Sequence, residues 1–273
     1  MSVSSLRHQI RLVLLDLDGT ALGLDSRLSA RTTQVLRTLG KRVKVGFATG
    51  RMLGSTAAYA REAEIDLPLV VLNGTLVTRP GEPPLLDDSL PADRARAALA
   101  ARPPEASHFW ITRDEMLAEP RSAARWDYMH TWNNGEEQRE TADLADELVR
   151  PVFQQHWVAP RASIERLAAS LVHAQSMCSR WPSSRGGDWH LELRKAGTDK
   201  ATGIAALQAL YGISADETLV IGDWLNDLGM VNAAGVGVAM GNAHPTLKAA
   251  ADLVLERTNA EDGAAEFLAE AFL

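Results

Sequence analysis

Leu12-Val13-Leu14-Leu15-Asp16-Leu17-Asp18-Gly19-Thr20 is the stretch on which the fold of this sequence turns. Four consecutive apolar residues are what a strand buried on both faces of a parallel sheet requires. The run ends in two carboxylates spaced two apart. Residues i and i+2 of an extended chain project to the same face, so Asp16 and Asp18 can meet at the strand's carboxyl end. In an open α/β sheet, ligands bind outside that edge. Carboxylates held this close repel unless a cation lies between them or one is protonated, and hard oxygen donors suit Mg²⁺. Taken alone, the stretch is equally a strand running into an Asp-Gly turn.

Outward from it, the pattern predicts a helix over residues 30–39 ending at Gly40, an apolar run over 43–47, a helix over 53–63 and a strand over 69–72. Strand–helix–strand–helix–strand is the signature of a parallel sheet with crossover helices. The alternation resumes near Thr198. A helix over 199–211 closes at Gly212, a plausible left-handed cap, and strands follow over 219–221, 236–240 and 253–255. Helices are expected from about Asp227, over 245–251 and from about Glu261.

Between these regions the texture changes. Arg79-Pro80-Gly81-Glu82-Pro83-Pro84 is a breaker cluster. Six of the seven tryptophans lie inside this segment, Trp110, Trp126, Trp132, Trp157, Trp181 and Trp189, so it has its own core or a ligand surface. The alternation His190-Leu191-Glu192-Leu193 predicts half-buried antiparallel strands, with a helix over 163–173 before them. The expected fold class is α/β, a doubly wound parallel-sheet (Rossmann-like) core. It is formed by residues 1–79 and 195–273, with an α+β module inserted at 80–194.

Three further motifs stand at predicted strand ends or helix starts. In Ala48-Thr49-Gly50-Arg51, a hydroxyl and backbone N–H groups at a strand-to-helix turn can cradle a phosphoryl oxygen; Thr49 is also a reasonable helix-entry residue. Lys200, in Thr198-Asp199-Lys200-Ala201-Thr202-Gly203, puts a cation in a helix's first turn, against the macrodipole. An anionic phosphoryl group and neighbouring carboxylates would favour it there; the alternatives are a surface lysine, or Lys195 in its place. Gly222-Asp223-Trp224-Leu225-Asn226-Asp227 sets two carboxylates and an amide after another strand. That is either a metal site or an Asx-rich turn capping the next helix, and the acidic pair at Asp16 and Asp18 favours the metal.

Composition narrows the partners. A net charge of −7 over 273 residues leaves no electrostatic footprint for nucleic acid and argues against an anionic membrane surface. One locally positive site can still bind a small phosphorylated molecule. The single Cys178 excludes an internal disulfide and a multi-cysteine zinc site, which fits a reduced setting. The N-terminal apolar run is interrupted by Asp16 and Asp18, so neither a signal peptide nor a spanning helix is expected. A soluble, cytoplasmic protein is the expectation.

Read in order, DxDGT at residues 16–20, Thr49, Lys200 and GDxxND at 222–227 resemble the motifs of the haloacid dehalogenase superfamily. The position and size of the insertion are similar to the large α/β cap of its Cof-type branch. Asn73-Gly74, Met240-Gly241-Asn242-Ala243 and Thr258-Asn259-Ala260-Glu261-Asp262-Gly263 extend the resemblance. It implies a Mg²⁺-dependent phosphatase acting on a small phosphorylated metabolite, a sugar phosphate or phosphorylated cofactor. Asp16 would attack phosphorus to give an aspartyl-phosphate, and Asp18 would serve as general acid and base. Mg²⁺ would be bound by an Asp16 oxygen, the Asp18 backbone carbonyl and Asp223, with Asp227 in support. Thr49, Gly50, Lys200 and Asn226 would hold the phosphoryl oxygens.

A sugar phosphomutase shares the first half-reaction and is the alternative. A non-enzymatic binding protein is disfavoured because every motif residue is present, and a dehalogenase because it has no use for Asp18. Within the insertion, the tryptophans are either sugar-stacking platforms or core residues, and His130, Arg125 and Arg185 either meet an anionic leaving group or are solvated. Trp224, inside the fourth motif, is expected to narrow the site entrance.

Overall fold

A computed structural model describes residues 6–129, 137–172, 176–183 and 186–273. His130, Trp132, His173 and Arg185 lie outside the described residues. The first run of elements is α1 (Leu6–Gln9), β1 (Leu12–Leu15), α2 (Ala30–Leu39), β2 (Lys44–Phe47), α3 (Leu53–Glu62), β3 (Leu69–Val71), β4 (Leu76–Thr78) and β5 (Leu86–Asp87). The middle run is α4 (Ala92–Ala100), β6 (Ser107–Ile111), β7 (Glu115–Ala118), α5 (Pro120–Ala123), β8 (Glu137–Glu140), β9 (Gln154–Pro160), α6 (Arg161–Ser170), β10 (Ser176–Pro182) and β11 (Asp188–Lys195). The last is α7 (Lys200–Tyr211), β12 (Thr218–Gly222), α8 (Leu228–Ala233), β13 (Val236–Ala239), α9 (Pro245–Ala250), β14 (Leu253–Val254) and α10 (Gly263–Phe272). These form two compact units, one of residues 1–50, 56–86 and 199–273, the other of 51–55 and 87–198.

The first unit is built on a five-stranded sheet in the order β14-β13-β12-β1-β2, with every pairing parallel. All four residues of β1 and all five of β12 are buried, as central strands covered on both faces must be. From β1 the chain winds outward to β2, while from β12 it winds the opposite way to β13 and β14. The switch point therefore lies between β1 and β12, and their carboxyl ends frame the crevice where such sheets bind ligands.

Helix starts follow local chemistry. The Ser29 side chain accepts from the Thr32 N–H at the head of α2, whose inner face buries Val35, Leu36 and Leu39. Asp199 and Thr202 form a capping box that starts α7, and Gly212 ends it in the left-handed region.

The strand expected at 69–72 is shorter and differently employed. β3 meets the end of β2 through one parallel bridge, Ala48 to Val70, then turns back into an antiparallel hairpin with β4. Left-handed backbones at Leu72, Asn73 and Gly74 end the strand.

The second unit is a six-stranded sheet in the order β10-β11-β9-β6-β7-β8, antiparallel except where β7 meets β8. α4 and α6 supply Ala95, Ala98, Ile164, Leu167 and Ala168 to a hydrophobic cluster with Trp157, Leu191 and Leu193 from one sheet face. The opposite face carries Gln154, His156, His190, Glu192 and Arg194, in register across β9 and β11. These polar residues are buried as well, so the half-buried strand expected at 190–193 is corrected to one buried on both faces. Pairing makes that tolerable: Glu192 and Arg194 form an ion pair, and His156 and His190 share a 2.9 Å hydrogen bond. Among the described residues no helix is long and apolar enough to cross a membrane.

Candidate active site

Asp16 sits where β1 ends, its N–H donating to the Ile221 carbonyl at 2.9 Å and so continuing the β1–β12 ladder by one residue. The chain then winds into a tight turn through Gly19, whose φ of +76° favours glycine. A second requirement acts at the same position, because a Cβ on Gly19 would overlap the Asp223 carboxylate. Asp223 is held there by Thr20, whose hydroxyl donates to Oδ1 at 3.4 Å. Asn242 ties both pieces together, donating to the Gly19 carbonyl at 2.8 Å and lying 3.5 Å from Asp223 Oδ2.

Asp16, Asp223 and Asp227 each offer an oxygen within 4.8 Å of the others. Asp18 is not in that group: its side chain is exposed while that of Asp16 is buried. Lys200, the first residue of α7, is 0% exposed, which removes the surface-lysine alternative. Its Nζ donates to Asp16 Oδ1 at 2.5 Å and to Asp227 Oδ1 at 2.6 Å. The other oxygen of Asp227 accepts from the N–H groups of Asp223 and Trp224 at 2.9 and 3.0 Å. Gly222 makes room for this, since a Cβ there would stand 2.5 Å from Asp227 Oδ2. Asp227 thus caps its own turn and grips Lys200 at once. Lys195, the competing candidate, is instead paired with Asp88 at 2.5 Å in the second unit.

Thr49 and Gly50 follow β2 at the same sheet edge. Thr49 is buried, donates its N–H to Val70 and accepts from the Asn73 N–H, both at 2.9 Å. Asn226 donates its side-chain amide to Asn73 Oδ1 at 3.0 Å. All eight candidate residues, Asp16, Asp18, Thr49, Gly50, Lys200, Asp223, Asn226 and Asp227, belong to the first unit.

Burial pushes the Asp16 carboxyl well above the usual range; Lys200 opposes this, while Asp227, Asp223 and Asp18 add to it. Asp223 is raised to about 7, chiefly by burial and then by Asp227, against the pull of Lys200 and Thr20. For Lys200 burial works toward neutrality, yet the Asp16 and Asp227 carboxylates outweigh it and the ammonium is held more firmly than usual. The cluster is therefore short of positive charge. Oxygen donors alone, in negative excess around one ammonium, suit a hard divalent cation such as Mg²⁺.

In the second unit, Trp110 and Trp157 are fully buried and closed to any ligand. Trp110 donates to His108 at 3.0 Å, and Trp157 stacks on the same ring at 4.4 Å. Trp126 leans on Phe109, Trp189 lies beneath the Arg161 guanidinium, and Trp181 stacks on His190 with 8° between the planes. Arg125 is paired with Asp188 at 2.6 Å, so it is not simply solvated. In the first unit Trp224 is 53% exposed, with its ring edge-on to His244 at 5.3 Å.

A doubly wound parallel sheet with clustered carboxylates and a buried lysine at its switch point defines an α/β core whose ligand site lies at that switch point. The chain belongs to the haloacid dehalogenase-like hydrolases, whose family model matches residues 13–268. It is similar to the 5-amino-6-(5-phospho-D-ribitylamino)uracil phosphatase YitU of Bacillus subtilis, with 30% identity over 96% of this chain and 97% of the relative. A second phosphatase of that name from the same organism, YcsE, is 24% identical over 97% of each chain. The crystal structure of a haloacid dehalogenase-like hydrolase from Bacteroides thetaiotaomicron superimposes with a TM-score of 0.83 at 26% identity, covering 96% of this chain and 100% of that one. Membership in a family with such relatives makes the protein a phosphatase.

Proposed function

We propose that this protein is a Mg²⁺-dependent phosphatase that hydrolyses the phosphomonoester of a small metabolite through a covalent intermediate on Asp16. The observation that carries the reading is Lys200, fully buried with its ammonium on both Asp16 and Asp227 at the β1–β12 switch point. A desolvated cation beside a carboxylate nucleophile is what attack on a phosphate dianion needs, because the two anions otherwise repel.

Asp16 and Asp223 would hold Mg²⁺, with the Asp18 main-chain carbonyl as a further ligand and Asp227 in support through Lys200. Bound there, the ion would neutralise phosphoryl charge and help align the ester. An Asp16 carboxylate oxygen forms a bond to phosphorus as the ester P–O bond breaks, and the departing oxygen takes the proton of Asp18. Water then attacks the same phosphorus, giving its proton back to Asp18 while the Asp16–phosphorus bond breaks and inorganic phosphate leaves. Asp18 is exposed, so its carboxyl is open to the departing oxygen and then to the attacking water. Thr49, Gly50, Lys200 and Asn226 hold the phosphoryl oxygens.

The relatives named for a phosphorylated ribitylaminouracil make a phosphate ester on a small polyol-bearing metabolite the first substrate to try. The test is phosphate release over a panel of phosphorylated metabolites, with and without Mg²⁺, for wild type and Asp16→Asn. Wild type should release phosphate only with Mg²⁺ and Asp16→Asn should not. Silence across the panel, or an Asp16→Asn variant equal to wild type, would end this reading.

A further inference from the structure

Residues 72–74 adopt three successive left-handed backbones, with φ of 51° at Leu72, 55° at Asn73 and 86° at Gly74. Asparagine and glycine tolerate this region, whereas a bulky leucine does so rarely. Strain of that kind persists where the surroundings fix it, and it concentrates at functional sites. The surroundings here are the phosphate-side groups. The Asn73 N–H holds the Thr49 carbonyl at 2.9 Å. Its side-chain amide lies against Gly50, where a Cβ would come within 3.2 Å of Oδ1. The same oxygen accepts from Asn226 Nδ2 at 3.0 Å. A Cβ on Gly74 would overlap the Asp199 carbonyl, so the turn also packs against the residue that precedes Lys200.

We propose that Asn73 is a positioning residue for phosphoryl transfer, its side chain fixing the Asn226 amide beside the phosphate; this rests on the phosphatase reading above. By accepting one N–H of Asn226, Asn73 sets which way that amide faces and leaves its second N–H to a phosphoryl oxygen. Asn73 acts through Asn226, so deleting it should matter only while Asn226 is present. The strained turn is the means: a right-handed backbone at Asn73 would aim its side chain elsewhere.

The test is a double-mutant cycle on hydrolysis of para-nitrophenyl phosphate in Mg²⁺. Asn73→Gly keeps the left-handed backbone and drops the amide; kcat/KM should fall about tenfold, the effect of losing one well-placed hydrogen bond. Asn226→Ala should lose at least as much, and the double variant should fall no more than about twofold below Asn226→Ala. Losses that multiply to about a hundredfold would overturn the proposal. A second readout needs no turnover. Titrating inorganic phosphate with Mg²⁺ should move the Asn226 side-chain amide signals of wild type in NMR spectra, and this response should vanish in Asn73→Gly. An Asn226 amide that stays still as the Thr49 amide moves, or that responds equally in Asn73→Gly, would overturn it too. Wild type that hydrolyses nothing would count against the phosphatase reading instead, and the phosphate titration would still decide the role of Asn73.

Discussion

Lys200→Met should destabilise the protein by an amount that depends on pH in a calculable way. Nζ of Lys200 touches Asp16 and Asp227 at 2.5 and 2.6 Å with the side chain wholly buried, so methionine fills a similar volume but strands both carboxylates. Breaking a buried ion pair from one side costs about 3–5 kcal/mol. A second route bounds the same quantity. One proton on the Asp16–Asp227 pair would restore the single charge that Lys200 supplied, and binding it costs an ordinary aspartate of pKa about 3.9 roughly 4 kcal/mol at pH 7 and roughly 1.5 kcal/mol at pH 5. Guanidinium denaturation of wild type and variant in chelator should therefore show a gap of about 4 kcal/mol at pH 7 that shrinks to about 1.5 kcal/mol at pH 5. Added Mg²⁺ should narrow the gap at pH 7 by supplying the missing charge. A gap below about 1 kcal/mol at pH 7, or one indifferent to pH, would mean that Lys200 is not the countercharge of the cluster.

Gly19→Ala sets a methyl group into the Asp223 carboxylate at a φ of +76°; kcat/KM should fall on the order of a hundredfold, with weaker Mg²⁺ dependence, and activity within threefold of wild type would refute the packing argument. Burial drives the second unit's histidines toward neutrality, His108 to about 3 with help from Arg102, His190 to about 4, and His156 well down with help from His190. With folded pKa values below the unfolded value of about 6.5, they make no difference to stability above that pH. As pH falls from 6.5 toward 4 the unfolded chain gains protons that the folded chain refuses, at about 1.4 kcal/mol per pH unit for each histidine. His108→Gln should flatten the denaturation slope between pH 6 and pH 5 by about that amount, and an unchanged slope would contradict its burial as a neutral ring. Trp224→Ala, at an exposed ring, should leave stability within about 0.5 kcal/mol and raise or lower KM for bulky phosphomonoesters; unaltered kinetics would remove its role at the entrance.

Where sequence reasoning worked, the signal was local. β1 and β12 announce themselves as unbroken apolar runs, and Lys200 stands out because a cation in a helix's first turn needs a reason to be there. The parts that escaped depend on contacts between distant segments. Thr20 and Asn242 position Asp223 from 203 and 19 residues away, and although both stand in quoted motifs, nothing in those motifs pairs either with Asp223. Asn73 and Asn242 were visible as members of a resembling motif, but a hydrogen bond to Asn226 or to the Gly19 carbonyl has no signature in composition or period. Residues 190–194 misled for a different reason: alternation reports two unlike faces, and it cannot tell water from a buried polar layer held by Glu192, Arg194 and two histidines. Likewise, tryptophan enrichment in the insertion marked a second core for Trp110 and Trp157, whose rings are fully enclosed.

The central claim is that the phosphoryl group passes through Asp16, and trapping it there is the most direct measurement. The enzyme would be mixed with a substrate it turns over, quenched in acid, reduced with borohydride, and the peptide carrying residue 16 analysed by mass spectrometry. An acyl-phosphate on Asp16 is reduced to homoserine, so homoserine should appear at that position only in samples quenched during turnover with Mg²⁺ present. Steady turnover with an unmodified Asp16, or reduction at a different carboxylate, would contradict the account.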